Sequence, residues 1–70
     1  MNSTPALERA IQLAGTKAEL GRRLGVRASL INYWLSTDKV PAEQAIEIEA
    51  ATGGAVTRKE LRADIFAESA

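Results

Sequence analysis

The side chains best suited to chemistry on a partner lie in residues 27–36, RASLINYWLS. Arginine can take guanine bidentately or grip a phosphate. Asparagine can pair bidentately with adenine, serine can bond a base edge or a phosphate, and alanine offers thymine a methyl contact. At helical spacing Ile31, Trp34 and Leu35 form an apolar face, which turns Arg27, Ala28, Ser29, Asn32, Tyr33 and Ser36 outward. A short helix with a small, polar, hydrogen-bonding outer face suits a DNA major groove. The expected base readers are therefore Arg27, Ala28, Ser29, Asn32 and Tyr33. Trp34 could stack on a base, but its spacing from Ile31 makes it a core residue. Tyr33 stays open between DNA contact and simple exposure, and Leu30 between the core and the sugar-phosphate wall.

This helix needs a second one to hold it. Residues 16–24, TKAELGRRL, supply that helix. Thr16 can cap its start, and Glu19 three residues on completes a capping box. Leu20, Gly21 and Leu24 face inward. Gly25 supplies the left-handed position of a sharp turn, and Val26 plugs that turn. Lys17 opens the helix where a DNA-backbone contact is expected. Arg22, Arg23, Ser36 and Lys39 are further backbone candidates, although Arg22 and Arg23 equally suit a solvated face, with Arg23 paired to Glu19.

The remaining segments also have helical period. Thr4 can cap and Pro5 open a first helix whose face is Leu7, Ala10, Ile11 and Ala14, ended by Gly15. Residues 36–39 form a polar loop. Pro41 opens a fourth helix with Glu43 in its first turn. Ala45, Ile48 and Thr52 face inward there with Ile46 beside them, and Gly53 and Gly54 stop the helix. Thr57 and Glu60 form a second capping box, which predicts a short fifth helix to about Arg62, anchored by Leu61. Residues 64–70 read as extended or frayed. The expectation is an all-α, compact bundle of about five short helices in a single domain over residues 1–70, with the two-helix motif at about 16–36 and a tail at 63–70.

Leu20, Gly21, Leu24, Gly25, Val26, Ile31 and Trp34 stand at a spacing that resembles the helix-turn-helix of phage Cro and repressor proteins. Over residues 5–66, including GAVTRKELRADIF at the end, the chain is similar to the small Cro-type regulators of bacterial prophages, also called YdaS-like. Two positions depart from the pattern. Arg27 replaces the usual Ser at the N-cap of the recognition helix, a loss of about 1 kcal/mol. Gly21 replaces the usual Ala, loosening the first motif helix by roughly the same amount. The resemblance implies a lambda repressor-like fold and a sequence-specific, double-stranded DNA-binding regulator, a Cro-like repressor that occludes a promoter. Alternatives are an antitoxin-type regulator with a toxin partner, or a protein-interaction module using the same fold without DNA. One recognition helix reads few base pairs, so a homodimer on a pseudo-palindromic operator is expected. Ile65 and Phe66 are candidates for the dimer contact, weighed against packing back on Leu61.

Composition narrows the classes. The chain has 70 residues, no cysteine and no histidine, which removes the thiol nucleophile, the thiolate metal site and the commonest general base. No Gly-rich phosphate loop is present, and Glu47 and Glu49 lie two apart on a helix, so they do not converge. No enzymatic activity, cofactor, metal or small-molecule substrate is expected. The N-terminus lacks a basic segment followed by an apolar run, and no stretch has membrane-spanning length, so a cytoplasmic protein is expected; the resemblance implies that it is nucleoid-associated in a bacterial host. Net charge is zero but unevenly placed. Residues 1–39 carry six cationic side chains against three carboxylates, and residues 40–70 the reverse. The positive half holds the reading helix, which can orient the molecule on a polyanion.

Overall fold

Five helices make up the described part of the computed structural model, residues 4–66: α1 Thr4–Ala14, α2 Lys17–Leu24, α3 Ala28–Thr37, α4 Ala42–Ala51 and α5 Arg58–Leu61. No strand occurs among the described residues. α2 packs on α1, α3 and α4, and α5 closes against α4 and α1. The fully buried side chains Leu7, Leu20, Ile31, Val40, Ile48, Val56 and Leu61 come from every helix and both longer loops. Each contributes about 1.5–3 kcal/mol by leaving water. Trp34 is 2% exposed and belongs to this core, as its spacing requires. Ile46 does not. It is 37% exposed, because Ala45 and Ile48 define the inward stripe of α4 and Ile46 is turned about 100° from Ala45.

The joint between α2 and α3 is the tightest place in the fold. Gly25 sits at φ 75° and ends α2. Its N–H donates to the Arg22 carbonyl at 3.3 Å and the Val26 N–H donates to the Gly21 carbonyl at 2.8 Å, the paired bonds of a Schellman turn. That turn folds back onto Gly21. A Cβ at Gly21 would stand 2.6 Å from the Val26 carbonyl oxygen and 3.5 Å from Ile31 Cδ1. Gly21 is therefore not merely a weak helix former. Its missing methyl lets the turn and α3 approach α2.

The caps depart from expectation in an instructive way. Thr16 Oγ1 accepts the Glu19 N–H at 3.0 Å, but the Glu19 carboxylate does not complete the box. It turns to Arg22 and Arg23, whose charged donors outcompete a neutral N–H. At Thr57 the box is complete. Thr57 Oγ1 accepts the Glu60 N–H at 3.1 Å, and Glu60 accepts the Thr57 N–H at 2.8 Å. Thr4, expected as a cap, is the first residue of α1 and gives its N–H (2.9 Å) and its hydroxyl to Asp38. Asp38 lies in the left-handed region at φ 56° and itself closes α3 through its N–H to the Trp34 carbonyl. One aspartate thus ties the end of α3 to the start of α1.

The C-terminal piece is a turn rather than the extended or frayed segment expected. The Ile65 and Phe66 N–H groups donate to the Arg62 carbonyl at 3.0 and 2.8 Å. Arg62 is buried, 7% exposed, and gives Nη1 to the Val40 carbonyl at 2.8 Å while Nε and Nη2 grip Asp64 at 2.9 and 2.8 Å. Phe66 packs against the core with the Arg58 guanidinium 5.7 Å from its ring centroid. Ile65 is 50% exposed. Of the tail expected at residues 63–70, residues 67–70 lie outside the described residues.

Two outcomes are expected. A methyl at Gly21 gains about 1 kcal/mol of helix propensity. Because the obstacle is backbone, it costs about 3 kcal/mol in overpacking. Gly21→Ala should thus lose about 2 kcal/mol, read from the urea midpoint at unchanged m. The second concerns acid. The Arg62 hydrogen bonds hold the Asp64 carboxyl at about 2, below its ordinary 3.8. Glu49 is lowered by its bond from Arg58, and Glu60 by the Thr57 N–H and then by Arg9. A depressed carboxyl stabilises the fold above its unfolded value and loses that stabilisation as pH falls through its folded value. Stability should therefore fall between about pH 4.5 and 2. Asp64→Asn should be less stable at neutral pH and show a shallower fall, measured as urea midpoints across that range.

Candidate nucleic-acid interface

Burial of Ile31 and Trp34 sets the rotation of α3. Arg27, Ser29, Asn32, Tyr33 and Ser36 are exposed, and Ala28 is half-buried at the first turn. Tyr33 has 61% of its surface open, and Leu30, also outside the core, 37%. Arg27 holds the N-cap position in extended backbone, with no side-chain cap bond, so its guanidinium is not engaged in closing its own helix. Ser36 donates its hydroxyl to the Tyr33 carbonyl at 2.9 Å. Its proton is thus committed to the helix, and its exposed oxygen can act only as an acceptor.

The cations around this face differ in how far they are committed. Arg22 and Arg23 both bond Glu19, so three charged groups leave one net positive charge. Arg9, Arg58 and Arg62 hold the fold together through Glu60, Glu49 and Asp64. Among the described residues, Lys17, Arg27 and Lys39 have no carboxylate partner within ion-pair distance. Lys17 opens α2 beside the exposed face of α3, Arg27 precedes α3, and Lys39 follows its end. These cations, without carboxylate partners, therefore bracket α3. Lys39 also lines a shallow hollow of about 310 Å³ with Tyr33, Trp34, Thr37 and Pro41.

Two features of the surface were not read from the sequence. The first is that Arg22 answers to Glu19 beside the expected Arg23, although the i+3 spacing carried that signal. The second is that the Lys17 ammonium donates to Asn32 Oδ1 at 2.7 Å. No sequence signal marks that contact, which depends on how α2 and α3 cross. No group of three or more metal-ligating side chains gathers among the described residues, and no helix there is long and apolar enough to cross a membrane.

Two helices joined by a Schellman turn, the second presenting an exposed polar face between cations that lack a carboxylate partner, define a helix-turn-helix domain. A solved structure entitled "Structure of the Cro protein from putative prophage element Xfaso 1 in Xylella fastidiosa strain Ann-1" superposes with a TM-score of 0.88 at 44% identity, covering 97% of this chain and 100% of that one. The family model described as "Bacterial toxin YdaS" matches residues 7–70, and the chain belongs to the YdaS family. It is also 36% identical over 61 residues to an Escherichia coli K12 protein named "Putative transcriptional regulator YdaS", a match spanning 86% of this chain and 62% of that protein. The chain therefore spans less than two thirds of that relative's length.

Proposed function

We propose that the protein is a sequence-specific, double-stranded DNA-binding transcriptional regulator, a Cro-like repressor of prophage origin that occludes a promoter. The observation that carries this reading is the exposed polar face of α3 bracketed by Lys17, Arg27 and Lys39, cations that no carboxylate neutralises within ion-pair distance among the described residues. In this reading Arg27, Ala28, Ser29, Asn32 and Tyr33 meet base edges in the major groove. Lys17, Lys39 and the half-neutralised Arg22 and Arg23 meet phosphates, and Ser36 lies at the groove wall. The names of its relatives, a regulator and a Cro protein, support the same assignment. The site of action would be the nucleoid of a bacterial cell.

Selection on random duplex DNA tests the reading. Affinity for the selected site should fall linearly with salt on logarithmic axes as phosphates are neutralised. Asn32→Ala should cost about 1–3 kcal/mol on that site and relax preference at one base pair. Binding insensitive to salt, or a consensus unchanged by Asn32→Ala, would count against the proposed placement of α3.

A pseudo-palindromic site read by a homodimer follows from the reach of one helix, with two recognition helices about 34 Å apart. Ile65 is the candidate contact, since it is half-exposed while Phe66 packs against its own core. Ile65→Asp should shift sedimentation toward monomer and abolish cooperative binding to the full site with helical content retained. Loss of fold instead would place Ile65 in the monomer core.

The family description favours a second reading, a toxin. Growth arrest on expression that disappears in Asn32→Ala would trace toxicity to the DNA-facing surface. Arrest that persists would point to a separate activity.

A further inference from the structure

Lys17 and Asn32 have separate tasks in the proposed function, one gripping a phosphate and the other reading a base. The structure joins them, 15 residues apart, through the 2.7 Å bond from Lys17 Nζ to Asn32 Oδ1. The two ends of an asparagine amide speak opposite languages, since the oxygen accepts and the nitrogen donates. On an exposed helical position, a half-turn of the amide exchanges them at modest cost. A lysine ammonium has three donors and no acceptor, so it can pair with the oxygen end alone.

We propose that Lys17 is a positioning residue for base recognition. It holds the Asn32 oxygen toward α2 and turns the amide nitrogen away, and so determines which base edge Asn32 reads. The inference rests on the DNA-binding reading of α3.

Three observations support a defined geometry. Lys17 stands one turn before Gly21 on α2, and Asn32 follows Ile31 on α3. The close approach at Gly21, with the Val26 carbonyl and Ile31 Cδ1 against it, sets the gap that the lysine stem spans. The nearest acid on the same helix, Glu19, is engaged by Arg22 and Arg23 and does not draw Lys17 away. Glu8 shares a shallow cleft with Lys17 but has no hydrogen bond to it among the described residues.

The chemistry follows from the proton count. One ammonium proton lies on Asn32 and two remain for a phosphate oxygen, so a single residue links the register of the DNA backbone to the orientation of the reading amide. The charge on Oδ1 also polarises the amide and strengthens its N–H donors. A purine N7 is the acceptor such a donor fits, and the second lone pair of Oδ1 still admits an adenine amino group.

The test uses the duplex selected by the wild-type protein and its single-base-pair variants, with dissociation constants for wild type, Lys17→Met, Lys17→Arg, Asn32→Ala and the Lys17→Met/Asn32→Ala double variant. Methionine keeps the apolar stem and removes both donor and charge. Lys17→Met should weaken binding everywhere. It should also shrink discrimination by about 5-fold or more at the base pair that Asn32→Ala relaxes. Lys17→Arg should retain that discrimination. In the Asn32→Ala background, Lys17→Met should lower affinity without changing the ratio further. A melting curve for Lys17→Met confirms that the fold persists at this exposed site. If Lys17→Met weakens the best site and all variants by one common factor, Lys17 only grips and the inference is overturned alone. If the wild type selects no site, the DNA reading fails and takes the inference with it.

Discussion

The absence of one methyl group at Gly21 governs this structure. Its place is taken by the carbonyl of Val26, so the turn after α2 lies directly on the helix it leaves. Gly25 makes the turn sharp, and Gly21 lets it close. Together they bring α3 down onto α2 with Ile31 buried between them. Once Ile31 and Trp34 are sealed, the rotation of α3 is set, and so is the set of side chains left in solvent. In this chain alanine would gain helix propensity and lose more to overpacking, because a backbone carbonyl does not move aside as a flexible side chain can.

The second organising principle is electrostatic. A chain of zero net charge can still present a cationic surface if its carboxylates are committed elsewhere. Here they are. Glu60, Glu49 and Asp64 engage Arg9, Arg58 and Arg62; the first two pairs join α5 to α1 and α4, and the third lies within the turn after α5. Exposed pairs of this kind contribute little singly. The buried Arg62 differs, since it also satisfies the Val40 carbonyl and so links the segment between α3 and α4 to the C-terminal turn. Glu19 is the one acid in the motif, and it halves the charge of its arginine neighbours instead of stiffening the helix start.

Phe66 and Ile65 show how a fold sorts adjacent apolar residues. Both stand after the last helix, and pattern alone treats them alike. The turn closed on the Arg62 carbonyl rotates Phe66 onto the core beneath Arg58 and leaves Ile65 outside. Asp38 shows the same dependence on distance in the chain. It reads as loop polarity, yet it closes α3 and receives the first N–H of α1, 34 residues away.

The amino-acid sequence by itself determined what is local. Helix spacing placed the core residues Leu7, Leu20, Ile31, Trp34, Ile48 and Leu61, Gly25 marked the turn, and Thr57 with Glu60 marked the start of α5. The outward face of α3 followed from the same period. Tertiary structure decided whatever depends on partners from elsewhere in the chain. Glycine at position 21 reads as a defect until the carbonyl that needs its space is in place. Ile46 reads as core until Ala45 and Ile48 have taken the inward stripe. Lys17 and Asn32 read as independent contacts until the crossing of α2 and α3 brings an ammonium to an amide oxygen. Periodicity is carried by each helix alone, whereas these contacts depend on the angle between helices, and that angle exists only when the core is assembled.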